Sequence, residues 1–193
     1  MIYLDYNATT PLDPKVLEAM LPYMEKKYGN ASSTTHVFGK MASRAVERAR
    51  KIFIKAINAT HSKEIVFTSG ATESINTVII GTVLANHTKK YKILTTAIEH
   101  KAVLDTCKFV ERFGIKTEYI AVDHEGIVDL NSLKRKLDDE VVLVAIQHVN
   151  NEIGTIQPIA EIGDICDNSK IPLLVDAAQS LGKIPIDVRD WKI

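Results

Sequence analysis

Two hydrophobic periods divide the chain. Up to about residue 60, apolar side chains recur at helical spacing. Asp13-Pro14 pairs an N-cap residue with proline at the first helical position, and Val16, Leu17, Met20, Leu21 and Met24 follow, predicting a short amphipathic helix that ends near Tyr28-Gly29-Asn30. A second helix is predicted over residues 37–57, where Ala42, Ala45, Val46, Ala49, Ile52, Phe53 and Ala56 share one face and Arg44, Glu47, Arg48 and Lys51 lie on the solvated one. After Glu64 the pattern becomes short β-branched runs, at residues 65–67, 92–95, 117–120, 141–146 and 173–175, alternating with helix-length segments. That is a βαβ rhythm. A continuously apolar strand such as VVLVAI at 141–146 needs helices over both faces of its sheet, so the expected fold is α/β, a three-layer α/β/α sandwich with a largely parallel sheet. Ligands of open sheets gather at the carboxyl ends of the strands. Without repeats, low-complexity tracts or a proline-rich linker, no domain boundary is expected inside the chain.

Composition narrows the function classes. The 193 residues are 46% hydrophobic and 25% charged, enough to bury a substantial core. Twenty-four basic residues balance twenty-four acidic ones, so no overall field favours direct nucleic-acid binding or an anionic membrane surface. The start, Met1-Ile2-Tyr3-Leu4-Asp5-Tyr6, lacks a signal-peptide pattern, and no apolar stretch is long enough for a membrane span, so the expected location is cytoplasmic. Cys107 and Cys166 lie far apart without CxxC or CxxH spacing and read as small buried hydrophobes, so neither a disulfide framework nor a metal site is expected.

Four polar clusters follow the apolar runs. Thr68-Ser69-Gly70-Ala71-Thr72-Glu73 opens a helix whose free amides, with the Thr72 hydroxyl, could hold a phosphate; read alone it is more often ordinary capping, and the Walker pattern GxxxxGK[ST] is missing. His100, in Ala97-Ile98-Glu99-His100, could lie on a cofactor ring and shuttle protons, although a histidine at a helix start is more often a surface or capping residue. His148-Val149-Asn150-Asn151-Glu152-Ile153-Gly154 brings amides able to donate to a phenolate or carboxylate, or else forms an Asx-type turn. Asp176, with Gln179 beyond it, puts a carboxylate at the end of an apolar strand, where it needs a cation. A protonated pyridine nitrogen is one such cation; a helix cap or a magnesium ligand are the alternatives.

Taken in order, Tyr3-Leu4-Asp5-Tyr6-Asn7-Ala8-Thr9-Thr10-Pro11, residues 65–74 (IVFTSGATES), Glu99-His100, residues 148–154 (HVNNEIG) and residues 175–179 (VDAAQ) resemble the motif series of the cysteine desulfurases, across essentially the whole chain. The HVNNEIG segment is the most specific. Asn30-Ala31-Ser32-Ser33 departs from the family's Asn-Pro-Ser-Ser and puts the rigidity of that loop in question.

The resemblance implies the large domain of the pyridoxal-phosphate-dependent transferases, with residues 1–193 forming an N-terminal segment and most of that domain, and with its final strands and a C-terminal small domain lying beyond. It implies pyridoxal 5′-phosphate as cofactor, with its phosphate on Ala71 and Thr72, its ring under His100, its nitrogen on Asp176 and its ring oxygen near Gln179 and Asn151. Asn151 would also meet the substrate carboxylate, and His100 would move protons. The implied reaction removes sulfur from L-cysteine, giving L-alanine and an enzyme persulfide for an iron–sulfur scaffold or a tRNA-thiolation acceptor protein, in a homodimer. The family's Schiff-base lysine, in a Ser-Gly-His-Lys segment, and its nucleophilic cysteine have no counterpart before Ile193, and Lys183 matches a family position without a covalent role, so the chain alone is expected to be inactive. The alternatives are a non-catalytic cofactor-binding or assembly module, and a related selenocysteine lyase or aminotransferase.

Overall fold

The computed structural model describes residues 1–86 and 91–193. They form two compact units, Met1–Ile65 and Val66–Ile193, although no composition shift marks the boundary. The first contains the two predicted helices, α1 (Pro14–Glu25) and α2 (Val37–Ile57), and a 3₁₀ turn at Ser62–Glu64. Asp13 caps α1 by accepting the Lys15 N–H at 2.7 Å. The helix stops at Glu25, short of Tyr28, because the N–H groups of Lys26 and Lys27 both turn back to the Pro22 carbonyl. His36 caps α2 through Nδ1, and Asn58 closes it in the left-handed conformation. The loop at residues 30–33 is braced without the family's proline. Asn30 Oδ1 accepts the Ser32 N–H at 2.9 Å, and Gly39 of α2 lies so close to the Ser33 carbonyl that no side chain could fit there.

The second unit alternates α3 (Ala71–Ala85), β1 (Lys92–Thr96), α4 (Lys101–Val110), β2 (Lys116–Ile120), α5 (Leu130–Lys136), β3 (Val141–Gln147), α6 (Ile159–Asn168) and β4 (Leu173–Asp176). The strands pair in the order β2-β1-β3-β4, all parallel. Ile75 and Ile79 of α3 and Val103, Cys107 and Val110 of α4 pack with Ile93 and Ala145 of the sheet. Leu133 of α5 and Ile159, Ile162 and Cys166 of α6 pack in a second cluster with Leu94, Val144 and Ile146. The expected three-layer α/β/α sandwich with a parallel sheet is therefore present. Each fully buried aliphatic side chain contributes about 1.5–3 kcal/mol, so the inner strands β1 and β3, buried along their whole length, anchor the unit.

One expected strand does not form. Residues 65–67 are extended at Ile65, but no described strand pairs with them, and Val66 and Phe67 are 73% and 47% exposed. β-branched residues favour an extended backbone; only pairing with a neighbour makes it a strand.

At the end of the chain a turn is seated on α6. Lys192 reaches Asp164 and Asp167, the Trp191 ring stands edge-on to His148 with centroids 4.6 Å apart, and the Trp191 carbonyl lies against Gly163. A Cβ at Gly163 would fall 1.9 Å from that carbonyl oxygen. Alanine normally stabilises a helix interior relative to glycine. Here Gly163→Ala is expected to lower the unfolding free energy by about 1–3 kcal/mol in urea titration, the cost of overpacking; a gain in stability would contradict this packing.

Candidate functional site

The site is assembled where the ladder between β1 and β3 hands over to side chains. Their register runs to Leu94↔Val144. Beyond it Thr95 Oγ1 donates to the Ala145 carbonyl at 2.8 Å, and the buried Glu99 accepts from the Gln147 N–H at 2.8 Å through Oε2 and from Thr96 Oγ1 at 2.7 Å through Oε1. In return, the side-chain amides of Gln147 and Asn150 both donate to the Ile98 carbonyl, at 2.6 and 2.9 Å. Asn150 Oδ1 also receives the N–H groups of Glu152 and Ile153, which shapes the turn expected from the Asn-Asn pair. The same segment is pinned from outside: Thr155 Oγ1 donates to the Glu125 carbonyl and Gln157 Nε2 to that of Gly126. On the other side Gln147 pairs in register with Asp176, and the His148 N–H donates to the Asp176 carbonyl at 2.8 Å.

Ala71, Thr72, His100, Asn151, Asp176 and Gln179, all named from the sequence, line one cavity of roughly 160 Å³ together with Gln147, Val149 and Ala178. It opens at the carboxyl ends of β1, β3 and β4. Ala71 and Thr72 form the first turn of α3, whose N-cap, Gly70, has no side chain with which to cap it. Glu73 turns instead to Ser69, accepting both its N–H and its hydroxyl at 2.6 Å, which lowers the Glu73 carboxyl below its usual range. His100 caps α4, its Nδ1 accepting the Ala102 N–H at 3.1 Å, so the neutral ring carries its proton on Nε2. Asp176 accepts the Ala178 N–H at 3.0 Å through Oδ1: the cap alternative is real, and it occupies one of two carboxylate oxygens. Asn151 donates to Glu152 at 2.8 Å, and Gln179 Oε1 accepts from Lys183 at 3.0 Å.

Electrostatically the unusual group is Glu99. Burial pushes its carboxyl up to about 8, against the pull of its two hydrogen bonds, and the Asp176 charge adds to the rise. Cys107 and Cys166 are buried, their thiols pushed up to about 12 by desolvation, so both behave as the small hydrophobes expected. No lysine and no cysteine is among the described residues that line the cavity.

These groups suit pyridoxal phosphate: an uncapped helix start with a hydroxyl for a phosphate, an imidazole for a ring, a carboxylate for a ring nitrogen and amides for a ring oxygen. The sequence reading named the Glu99-His100 pair without giving Glu99 a task, and passed over Gln147 and gave Asn150 no separate one. The available signal was a polar residue ending an apolar run, at Gln147, and an acid just past another, at Glu99.

The family model described as aminotransferase class-V matches residues 2–193. The mitosomal cysteine desulfurase of Trachipleistophora hominis is 51% identical over 194 residues, covering 100% of this chain and 44% of that protein. Cysteine desulfurase IscS of Rickettsia massiliae (strain Mtu5) is 50% identical, covering 100% of this chain and 47% of its own length. A solved structure titled SspA in complex with cysteine superposes with a TM-score of 0.94 at 39% identity, covering 99% of this chain and 55% of that one. The chain thus spans about half the length of the curated relatives it matches.

Glu99 also sets a pH dependence. Between the ordinary glutamate value of 4.5 and about 8, the folded chain keeps a proton that the unfolded chain releases, so this contribution to stability is full below 4.5 and is lost as the pH rises towards 8. Glu99→Gln is expected to flatten that slope in urea midpoints taken at about pH 5 and about pH 8. An unchanged slope would contradict the burial of this carboxyl.

Proposed function

The chain belongs to the aminotransferase class-V family, and from that premise we propose that it forms the cofactor-holding part of a cysteine desulfurase, which removes sulfur from L-cysteine and leaves L-alanine. The observation that carries this reading is the convergence of Ala71, Thr72, His100, Asn151, Asp176 and Gln179 on one cavity at the strand ends. When bound, pyridoxal 5′-phosphate supplies a protonated ring that accepts the electron pair released at the substrate α-carbon. The amides of Ala71 and Thr72 and the Thr72 hydroxyl hold the phosphate at the positive end of α3. Asp176 would keep the ring nitrogen protonated with the carboxylate oxygen that Ala178 does not use. His100 would lie against the ring, with Nε2 left to exchange a proton because Nδ1 is committed to the cap. Gln179, whose Oε1 accepts from Lys183, would donate to the ring oxygen, and Asn151 would sit between that oxygen and the substrate carboxylate.

Cysteine as substrate is supported by the names of the relatives and by the cysteine in the SspA complex. Neither Cys107 nor Cys166 suits the persulfide role, since both are buried and hard to ionise. The persulfide formed on a different cysteine would pass to an iron–sulfur scaffold or tRNA-thiolation acceptor protein. The proposed state is a homodimer: α1 buries none of its residues, and Val16, Leu17, Met20, Leu21 and Met24 on it are exposed apolar side chains. The proposed compartment is the cytoplasm; among the described residues no helix is long and apolar enough to cross a membrane.

The reading is tested by fluorescence titration of the chain with pyridoxal phosphate. Asp176→Ala and Thr72→Val are each expected to weaken binding by about 10- to 100-fold, the effect of losing a charge-assisted hydrogen bond or a phosphate donor. Equal affinity in wild type and Asp176→Ala would overturn the assignment of the cavity. For turnover, alanine and sulfur released from L-cysteine by the protein that carries this chain are the expected products, and binding without alanine would point to a non-catalytic module.

A further inference from the structure

Glu99 lies beside the proposed cofactor site. Glu99 is 6% exposed and directly precedes His100, and each carboxyl oxygen meets one donor: the Thr96 hydroxyl at the end of β1 and the backbone N–H of Gln147 at the end of β3. Gln147 is itself fixed from both sides, giving its side-chain amide to Ile98 and pairing in register with Asp176. A line of bonded groups therefore runs from the residue before His100, through Gln147, to the strand end that carries Asp176. We propose that Glu99 is a positioning residue of the cofactor site, its carboxyl setting the spacing between His100 on one strand end and Asn151 and Asp176 on the next two. The inference rests on the cofactor reading above.

The chemistry of the two partners explains why a carboxyl is suited to this place. As a carboxylate, Glu99 accepts from both Thr96 and Gln147. As an acid it still accepts the Gln147 N–H, which can only donate, and gives its own proton to the Thr96 hydroxyl, which can accept as well as donate. The clamp therefore survives a change of protonation. Two other titratable groups interact with it: Cys107 from α4, on whose thiol the Glu99 charge acts, and Asp176 from β4, whose charge opposes ionisation of Glu99; His100 is its neighbour in the chain. Ionising Glu99 adds a second negative charge near Asp176, so the protonated form leaves the Asp176 carboxylate as the feature that recognises a cationic ring. Glutamine in this position reproduces the hydrogen bonding of the acid, with its oxygen towards Gln147 and its amide towards Thr96. Leucine reproduces the bulk and none of the bonds.

The test uses the full 193-residue chain and 4-deoxypyridoxine 5′-phosphate, which keeps the ring, the ring oxygen and the phosphate but has no aldehyde and so requires no lysine. Wild type and Glu99→Gln are expected to bind within ~twofold of each other, and Glu99→Leu to bind at least ~tenfold more weakly. In ¹H–¹⁵N spectra without ligand, the Gln147 amide of the wild type is expected to titrate with a midpoint near about 8, and that of Glu99→Gln to stay flat. Glu99→Leu should displace the amides of residues 147–151, and Glu99→Gln should leave them in place. Should Glu99→Leu not fold, Glu99→Asp, one methylene too short to reach both donors, takes its place with the same expected direction. A folded Glu99→Leu that binds like wild type, or that leaves amides 147–151 unmoved, overturns the proposal, as does Glu99→Gln weakening binding as much as leucine. If the wild type does not bind the probe, the cofactor reading fails, and the ligand-free amide shifts alone then decide whether the clamp exists.

Discussion

A parallel sheet built on buried strands holds its own register, but the backbone ladder between β1 and β3 gives way to side-chain bonds where the site begins. From that point something other than the ladder must fix the distance between strand ends. The Glu99 carboxyl, shared between Thr96 and the Gln147 amide, does so with help from two amides on the Ile98 carbonyl. Strand ends free to part can surround a ligand, yet they would present their side chains loosely without such a link. The cavity and its rigidity thus arise from the same exchange of backbone pairing for side-chain pairing.

Around that link the work is divided. The α3–α4 and α5–α6 layers bury the apolar faces of the sheet and contribute most of the stability. The loops after the strands carry the polar groups. His100 and Asp176 each have a local structural task as well, capping α4 and bonding the Ala178 N–H, and each retains a second atom for the cavity. The alternatives weighed for these residues, cap or ligand, are therefore not exclusive. A side chain held at one atom by its own backbone is better oriented at the other.

Much of this was legible in the sequence because it depends on local pattern. The continuously apolar β3 called for a covered sheet, and the polar residues just past the apolar runs pointed to one edge of it, where all six candidates meet. The burial of Cys107 and Cys166 followed from their place in apolar helical patterns. What was missed depends on distant partners. Residues 65–67 have the composition of a strand but lack a neighbour to pair with among the described residues. The task of Glu99 is set by Gln147, 48 residues away, and no spacing rule within one element could reveal it.

Hydrogen exchange at the Gln147 amide addresses the central claim most directly, because that proton is the one shared with Glu99 across the opening of the site. In the wild type it should exchange as slowly as the amides of the buried middle of β3, and in Glu99→Leu it should exchange at least ~tenfold faster while those middle amides stay protected. A Gln147 amide that exchanges like an open loop in the wild type, or that is unaffected by removal of the carboxyl, would contradict the account.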